Sequence, residues 1–347
     1  MEMYVFNPQL ERIGLVEAFE YLRWTRRYST CGGFELKAPL HPENAAMLQI
    51  GNILWKNDDP EAGIIEYLEL SMADRETIVV RGRFATALLA RRIIWNTELL
   101  AGDLGDCVGQ LLERHLINPA DANRKISGIT YTAASTGIAV NSQVSYKNLL
   151  DTVVGLCEAA DMGIRTVFDP AAKMFTVSLY AGTKTAAVFS REFENISEQS
   201  FAQSVTDYAN AALVGSEGEG EERTMIAIGD TAGLDRYELF VDAKDLRSED
   251  FPDDYDAALE FRGNAKITEQ AMVKAFDASV HPYGNLKYKQ DFDLGDVVTV
   301  ISKAWNVGMT TRITEIAESY DSGGMSLDIT FGKPLATLTK RLKEASL

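Results

Sequence analysis

Histidine and cysteine are scarce in this chain of 347 residues, with three of each. His41, His115 and His281 stand far apart, so imidazole-based metal or acid/base chemistry has no cluster to work with, and an enzyme here would have to rely on carboxylates. Cys31, Cys107 and Cys157 are odd in number and form no CxxC pair. That pattern argues against a disulfide framework and a thiolate metal site and fits buried structural thiols. Basic charge is short as well: 34 Lys and Arg face 51 Asp and Glu, for a net charge of −17. Such a chain is repelled by nucleic-acid phosphates unless its bases cluster, and only "RWTRRY" (23–28) and "ARR" (90–92) come close. Sequence-specific nucleic-acid binding is not expected. A protein that lets DNA pass without holding it would gain from this sign. No apolar run approaches the roughly 20 residues of a membrane span. The N-terminal "MEMYVFNPQL" lacks the basic-then-apolar order of a secretory signal, so synthesis and folding in a cytoplasm are expected. The GxSxG, HExxH, CxxC and GxGxxG elements are all missing.

What is present is an ordinary globular balance, 46% hydrophobic and 24% charged, over a length that suits two or three domains. The first eighty residues alternate polar and large apolar groups, as in "LERIGLVEAFEYLRWTRRY" and "GGFELKAPL". In "GNILWKNDDPEAGIIEYLELSM", "NDDPEAG" has turn chemistry and predicts a hairpin joining Ile53–Lys56 to Ile64–Leu70. "ETIVVRGRF" adds a strand. Short antiparallel strands at this spacing predict a small barrel or sandwich.

From 84 to 160 the period changes. "FATALLARRII" and "DLGDCVGQLLERHLI" place apolar residues at helical spacing, with Asp103 or Asp106 as a cap for the second. "SYKNLLDTVVGLCEAADM" predicts a helix with Ser145 as N-cap candidate and Leu149, Leu150, Val153, Val154 and Leu156 as its apolar set. Asp169-Pro170 then turns a hairpin. Beyond 200 the chain returns to strands, interrupted by the helical "FPDDYDAALEFRGNAKITEQAMVKAFDASV". "DFDLGDVVTVISKAWNVGMTTRITEIAESYDSGGMSLDITFG" predicts four strands with turns at Asn306–Gly308 and Asp321–Gly324.

The fold class is therefore α+β, with two antiparallel β-barrel-like domains flanking an α+β middle domain. The expected division is 1–85 for the first barrel and 86–199 for the middle. Residues 200–338 form the second barrel, with a helix inserted about 253–278, and 339–347 a tail.

The stretch "GSEGEGEERTMIAIGDTAGLDRYELFVDA" (215–243) gathers Glu217, Glu219, Glu221 and Glu222 among glycines, with Asp230 further on. A calcium loop wants Asp and Asn ligands and a closing bidentate Glu at fixed positions, and a phosphate loop wants Gly-Lys-Ser/Thr. Neither spacing is met. A solvated hairpin tip is the simplest reading. "DFDLGD" (291–296) likewise lacks a closing Glu and reads as a strand entry turning at Gly295. A glycosidase pair cannot be picked from 51 acids, because it depends on separation in space. Trp24, Trp55, Trp95 and Trp305 are scattered, as core or interface residues are. No catalytic residue, cofactor site or metal site is predicted.

The ordered segments "LRWTRRYSTCGGFELKAPL", "SYKNLLDTV", "FSREFENISEQSFAQSVTDYANAALVGSEGEGEER", "GLDRYELFVDA", "DFDLGDVV" and "RITEIAES…FG" resemble a family of siphophage and prophage tail proteins. These are baseplate hub proteins similar to the amino-terminal region of tail-associated lysins, and the likeness runs from about residue 4 to 338. It implies a homotrimer in which each subunit supplies two barrel domains, matching the sixfold tail tube and the distal tail protein hexamer. It further implies the tape measure protein and receptor-binding or fibre proteins as partners, and a place at the virion tail tip. Glu217, Glu219, Glu221 and Glu222 would then form a turn facing the lumen or a neighbouring subunit. Larger family members carry a fibre or a cell-wall hydrolase. Ending on "FGKPLATLTKRLKEASL", this chain is expected to carry neither. The rival readings are a carboxylate-dependent glycan or cell-wall hydrolase, and a carbohydrate-binding adhesin with an aromatic platform.

Overall fold

The computed structural model describes residues 1–220, 223–252 and 254–333. Expectations that fall on Glu221, Glu222, Asp253 and the tail after Lys333 lie outside the described residues. Two compact units are formed, one of residues 1–182 with Ala317–Leu327, the other of Thr183–Ile316 with the stretch from Asp328.

In the first unit, strands β1 (Met3–Phe6), β2 (Arg12–Val16), β3 (Tyr21–Arg27) and β4 (Gly33–Pro39) lead through helix α1 (Pro42–Met47) to β5 (Ile53–Lys56), β6 (Ala62–Met72) and β7 (Glu76–Phe84). A period of two shows in β3, where Leu22, Trp24 and Arg26 are buried and Tyr21, Arg23 and Arg27 half-buried, with Thr25 buried on the other face. The Trp24 ring lies 4.6 Å from Phe84 and 5.8 Å from Phe34, centroid to centroid. The sheet runs β3-β4-β7-β6-β5-β1-β2, and every one of these neighbours is antiparallel. Gly82 makes the middle of it possible. A Cβ there would sit 1.8 Å from the Ile64 carbonyl oxygen and 2.8 Å from the Phe34 ring.

The chain continues through β8 (Glu98–Asp103), α2 (Leu104–Leu112), β9 (Ile129–Thr132), β10 (Ala139–Val144), α3 (Leu149–Ala159), β11 (Gly163–Asp169) and β12 (Met174–Tyr180). β8 pairs with β10, while β12 lies between β11 and β9. Asp169 turns the β11–β12 hairpin by accepting from the N–H groups of Ala171 and Ala172, both at 2.9 Å.

Two local expectations are corrected here. "FATALLARRII" makes only a 3₁₀ turn at Ala85–Arg91; Ala85 to Leu89 are all buried, so no polar face is left for an amphipathic helix. Helix α3 is capped by Asn148, whose Oδ1 accepts from Leu150 N and Asp151 N. Ser145 instead bonds Thr97 Oγ1 at 2.9 Å.

The second unit holds β13 (Lys184–Ser190), β14 (Ile196–Ser204), β15 (Ala211–Gly215), β16 (Met225–Ile228), β17 (Glu238–Asp242), α4 (Tyr255–Glu269), β18 (Val273–Val280), β19 (Val297–Ser302), β20 (Val307–Asp321) and β21 (Gly324–Gly332). The tip of the β20–β21 hairpin belongs to the first unit. Its base continues the order β14-β18-β21-β20, with β19 antiparallel to β20 and parallel to β13. Phe189, Phe276, Phe292 and Phe331 form its core, with ring centroids 4.9 to 6.3 Å apart. The segment expected to give four strands gives three, β19, β20 and β21, of which β20 runs for 15 residues between the two expected turns. The helix expected about 253–278 is α4, and from Val273 the chain is already strand β18.

The fold is mixed α+β and mostly strand, built on large antiparallel sheets. No ring of strands closes among the described residues: in the first unit the order ends at β2, which pairs only with β1. The expected barrels are thus open sheets here, because closure requires the terminal strands to find each other.

Candidate interaction site at the acidic connection

β15 pairs antiparallel with β16 and parallel with β17, making a three-stranded sheet. Ala212, Val214 and Val241 on its inner face pack with Leu246, Phe251, Ala258 and Leu259 into a separate small core. The acidic run connects β15 to β16, and its first member is tied down. Glu217 Oε1 accepts from Ser248 N at 2.9 Å, and Glu217 N donates to the Tyr255 hydroxyl at 3.2 Å. The Ser248 hydrogen bonds hold the Glu217 carboxyl below the usual carboxylate range. Glu219 is almost fully exposed, with Lys244 Nζ at 3.8 Å. Asp230 and Asp254 are exposed as well.

Sequence reasoning followed the acids and missed Arg223, which closes the base of this connection. Its guanidinium donates to Ser216 O at 2.7 Å, to Gly215 O at 2.8 Å and to the Asp242 carboxylate. It also lies 5.3 Å over the Phe240 ring. The signal was a lone arginine ending a run of glutamates between two strands.

The other acids singled out in the sequence are absorbed by local structure. Asp293 and Asp296 accept from backbone N–H groups around the positive-φ Gly295, and Asp296 also holds Thr183. Among the described residues no three His, Cys, Asp or Glu side chains come together as a metal site would need. His115 is buried, with Nε2 3.1 Å from Glu98 Oε1. Burial lowers its pKa against the pull of Glu98. All three cysteines are buried.

Two open grooves lie in the first unit. One, of about 470 Å³, is lined by Tyr4, Phe6, Trp55, Arg12 and Asn57 and carries no acid on its wall. The other, of about 500 Å³, carries Asp106 and Glu113 with Tyr131 as its one aromatic. Neither combines a pair of acids with a stacking platform.

The sequence matches the siphovirus ReqiPepy6 Gp37-like protein family over residues 2–333. The chain belongs to this family. No curated protein is recognisably similar in sequence. Among solved structures, the prophage tail protein gp18 of Listeria monocytogenes superposes with a TM-score of 0.62 at 11% identity, over 100% of this chain and 98% of that one. The 43 kDa tail protein of prophage MuSo2 from Shewanella oneidensis gives 0.60 at 12% identity, over 95% and 98%. A chain of a PdpA–VgrG complex gives 0.53 at 8% identity, over 95% of this chain and 63% of that one. At such identities the likeness is one of fold. No helix of this Gp37-like protein, among the described residues, is long and apolar enough to cross a membrane.

Proposed function

We propose that this Gp37-like tail protein is a structural baseplate hub without enzymatic activity. It would form a homotrimeric ring at the tail tip that joins the sixfold tube and the distal tail protein hexamer to the tip and leaves a passage for DNA. Residues 1–85 and 200–338 of each subunit would supply the tube-facing sheets, around a middle of 86–199. The tape measure protein, and receptor-binding or fibre proteins, are its further partners. The observation that carries this reading is the likeness of fold to prophage tail proteins along the whole length of both chains. An excess of 17 acids per subunit supports it, since acidic walls repel phosphate and displace no counterions from a passing duplex. The connection that carries Glu217, Glu219, Glu221 and Glu222 is the first candidate for the channel wall or a subunit contact.

Mass in solution tests the reading. Three copies of the 38.3 kDa chain give about 115 kDa alone, and a heavier complex once the distal tail protein is added. A chain that stays monomeric in both conditions sinks the hub. The Tyr4–Trp55 groove favours a second reading, the glycan-binding adhesin, because adjacent aromatic faces suit sugar rings. Quenching of Trp55 fluorescence by cell-wall oligosaccharide, in a monomeric protein, is the result that would favour it.

A further inference from the structure

We propose that a basic, aromatic patch around Arg92 and Arg124 receives the acidic β15–β16 connection of a neighbouring copy. This rests on the trimeric reading and names the two surfaces that meet. Residues 92–94 run antiparallel to 146–149: Ile94 N donates to Lys147 O, Tyr146 N to Ile94 O and Leu149 N to Arg92 O, each at 2.9 Å. Arg124 joins them. Its guanidinium donates to Ile93 O at 2.5 Å and lies 4.0 Å over the Trp95 ring, while Arg92 Nε donates to Arg124 O at 2.6 Å. These acceptors are carbonyl oxygens, which leave the cationic charge uncancelled. Arg91, Arg92, Arg124 and Lys125 form no ion pair among the described residues, and Asp121 is the acid that acts on Arg124. Burial and the neighbouring Arg92 charge both push the Arg124 pKa below that of a free guanidinium, so an arriving anion relieves the site.

Apolar groups stand among these charges: Ile93 is 46% exposed, Trp95 47% and Tyr146 72%. Tyr146 holds a left-handed φ of 56°, a conformation that bulky residues seldom adopt outside functional positions. Exposed Trp, Tyr and Arg together have the composition of a protein-binding hot spot. Charge selects the occupant. Residues 215–244 carry eight acids against three bases, and Glu219 is almost fully exposed among them. The same segment exposes Met225 and Leu234, so it too offers apolar groups within its charge. Attraction between opposite signs favours this pairing, and either surface would repel a copy of itself. A threefold ring joins two different patches, one from each neighbour, and each subunit here carries both.

Sedimentation velocity on the full chain compares wild type with Arg91→Glu/Lys125→Glu, with Glu219→Lys/Asp230→Lys, and with all of these changes combined. Lys184→Glu/Lys303→Glu, which reverses two exposed bases of the second unit, is the control. Wild type and control are expected to assemble alike. Either pair of changes alone should weaken association at least about tenfold, and the combined variant should return to within about threefold of wild type, because reversing both surfaces restores their attraction. A wild-type monomer overturns the trimeric reading and this inference with it; if that monomer binds an oligonucleotide and R91E/K125E does not, the patch is a nucleic-acid site. Wild type and R91E/K125E assembling alike overturns the location alone. Weakening by each pair without recovery in the combined variant overturns the pairing of these two surfaces. Should a charge variant fail to fold by circular dichroism, Lys125→Cys/Glu219→Cys replaces it. A short bis-maleimide is then expected to link copies into a ladder on a denaturing gel, and absence of the ladder overturns the pairing.

Discussion

Lys56 Nζ lies 2.5 Å from Glu318 Oε2, and the two side chains are 0% and 1% exposed. The residues are 262 positions apart, one at the end of β5 and the other in the tip of the β20–β21 hairpin. Asp58 approaches the same ammonium at 2.9 Å. The Tyr320 hydroxyl donates to Glu318 at 2.6 Å. Burial would lower the Lys56 pKa, but Glu318 and Asp59 outweigh it and raise it.

Breaking this pair from one side leaves a charge inside the first unit. Lys56→Met is expected to cost about 3–5 kcal/mol, whereas K56M with Glu318→Leu recovers much of that loss, because the buried Glu318 carboxylate no longer lacks its partner and Asp58, half exposed, keeps its water. Urea unfolding of the two variants checks it; equal loss in both would mean that the cost is one of shape.

Glu61 sets a dependence on pH. Burial, reinforced by the Asp59 carboxylate and opposed by Arg26, pushes its carboxyl from 4.5 up to about 8. The folded state thus holds this proton more tightly than the unfolded state. Its contribution is fully present below pH 4.5 and is lost as pH rises through about 8. Glu61→Gln should match wild type near the lower value and gain on it steadily toward the upper one. Urea midpoints across that window will show a widening gap, and a constant gap would refute the assignment.

At helix α3 the cap distinguishes two neighbours. Asn148→Ala is expected to cost about 1 kcal/mol through the lost bonds to Leu150 N and Asp151 N. Ser145→Ala should cost clearly less, since its hydroxyl meets only Thr97. Thermal unfolding of both decides.

Gly82→Ala should destabilise the first sheet by about 1–3 kcal/mol, the usual cost of forcing an extra group into packed surroundings. The added carbon meets a backbone oxygen, which cannot swing aside as a side-chain end can. Gly308→Ala, where a Cβ meets nothing within 4 Å, is the control. Chemical denaturation of the two compares them directly.

Strands of the first unit were readable because Leu22, Trp24 and Arg26 follow the pleat, and the "NDDPEAG" turn carries its own chemistry. Asn148 and Ser145 are both cap-forming residue types, and only the backbone shows that Asn148 is the cap. The turn signals at Asn306–Gly308 and Asp321–Gly324 fall at the two ends of the strand Val307–Asp321, so its bounds are legible in local pattern. Local pattern cannot reach Lys56 and Glu318, which only the folded hairpin brings together. The acidic run could be seen, but Arg223 could not be assigned, since its partners Ser216 O and Asp242 are fixed by pairing of three strands.

Because the first unit borrows Ala317–Leu327 from far along the chain, its coding sequence is not contiguous. A recombination that joined residues 1–182 of this protein to the remainder of a diverged relative would cut between the lysine and its glutamate. The hybrid would then inherit an ammonium group matched to one parent and a hairpin tip selected in the other. Exchange of segments between such tail proteins should therefore succeed only where position 56 and position 318 travel together, or where both parents already agree there.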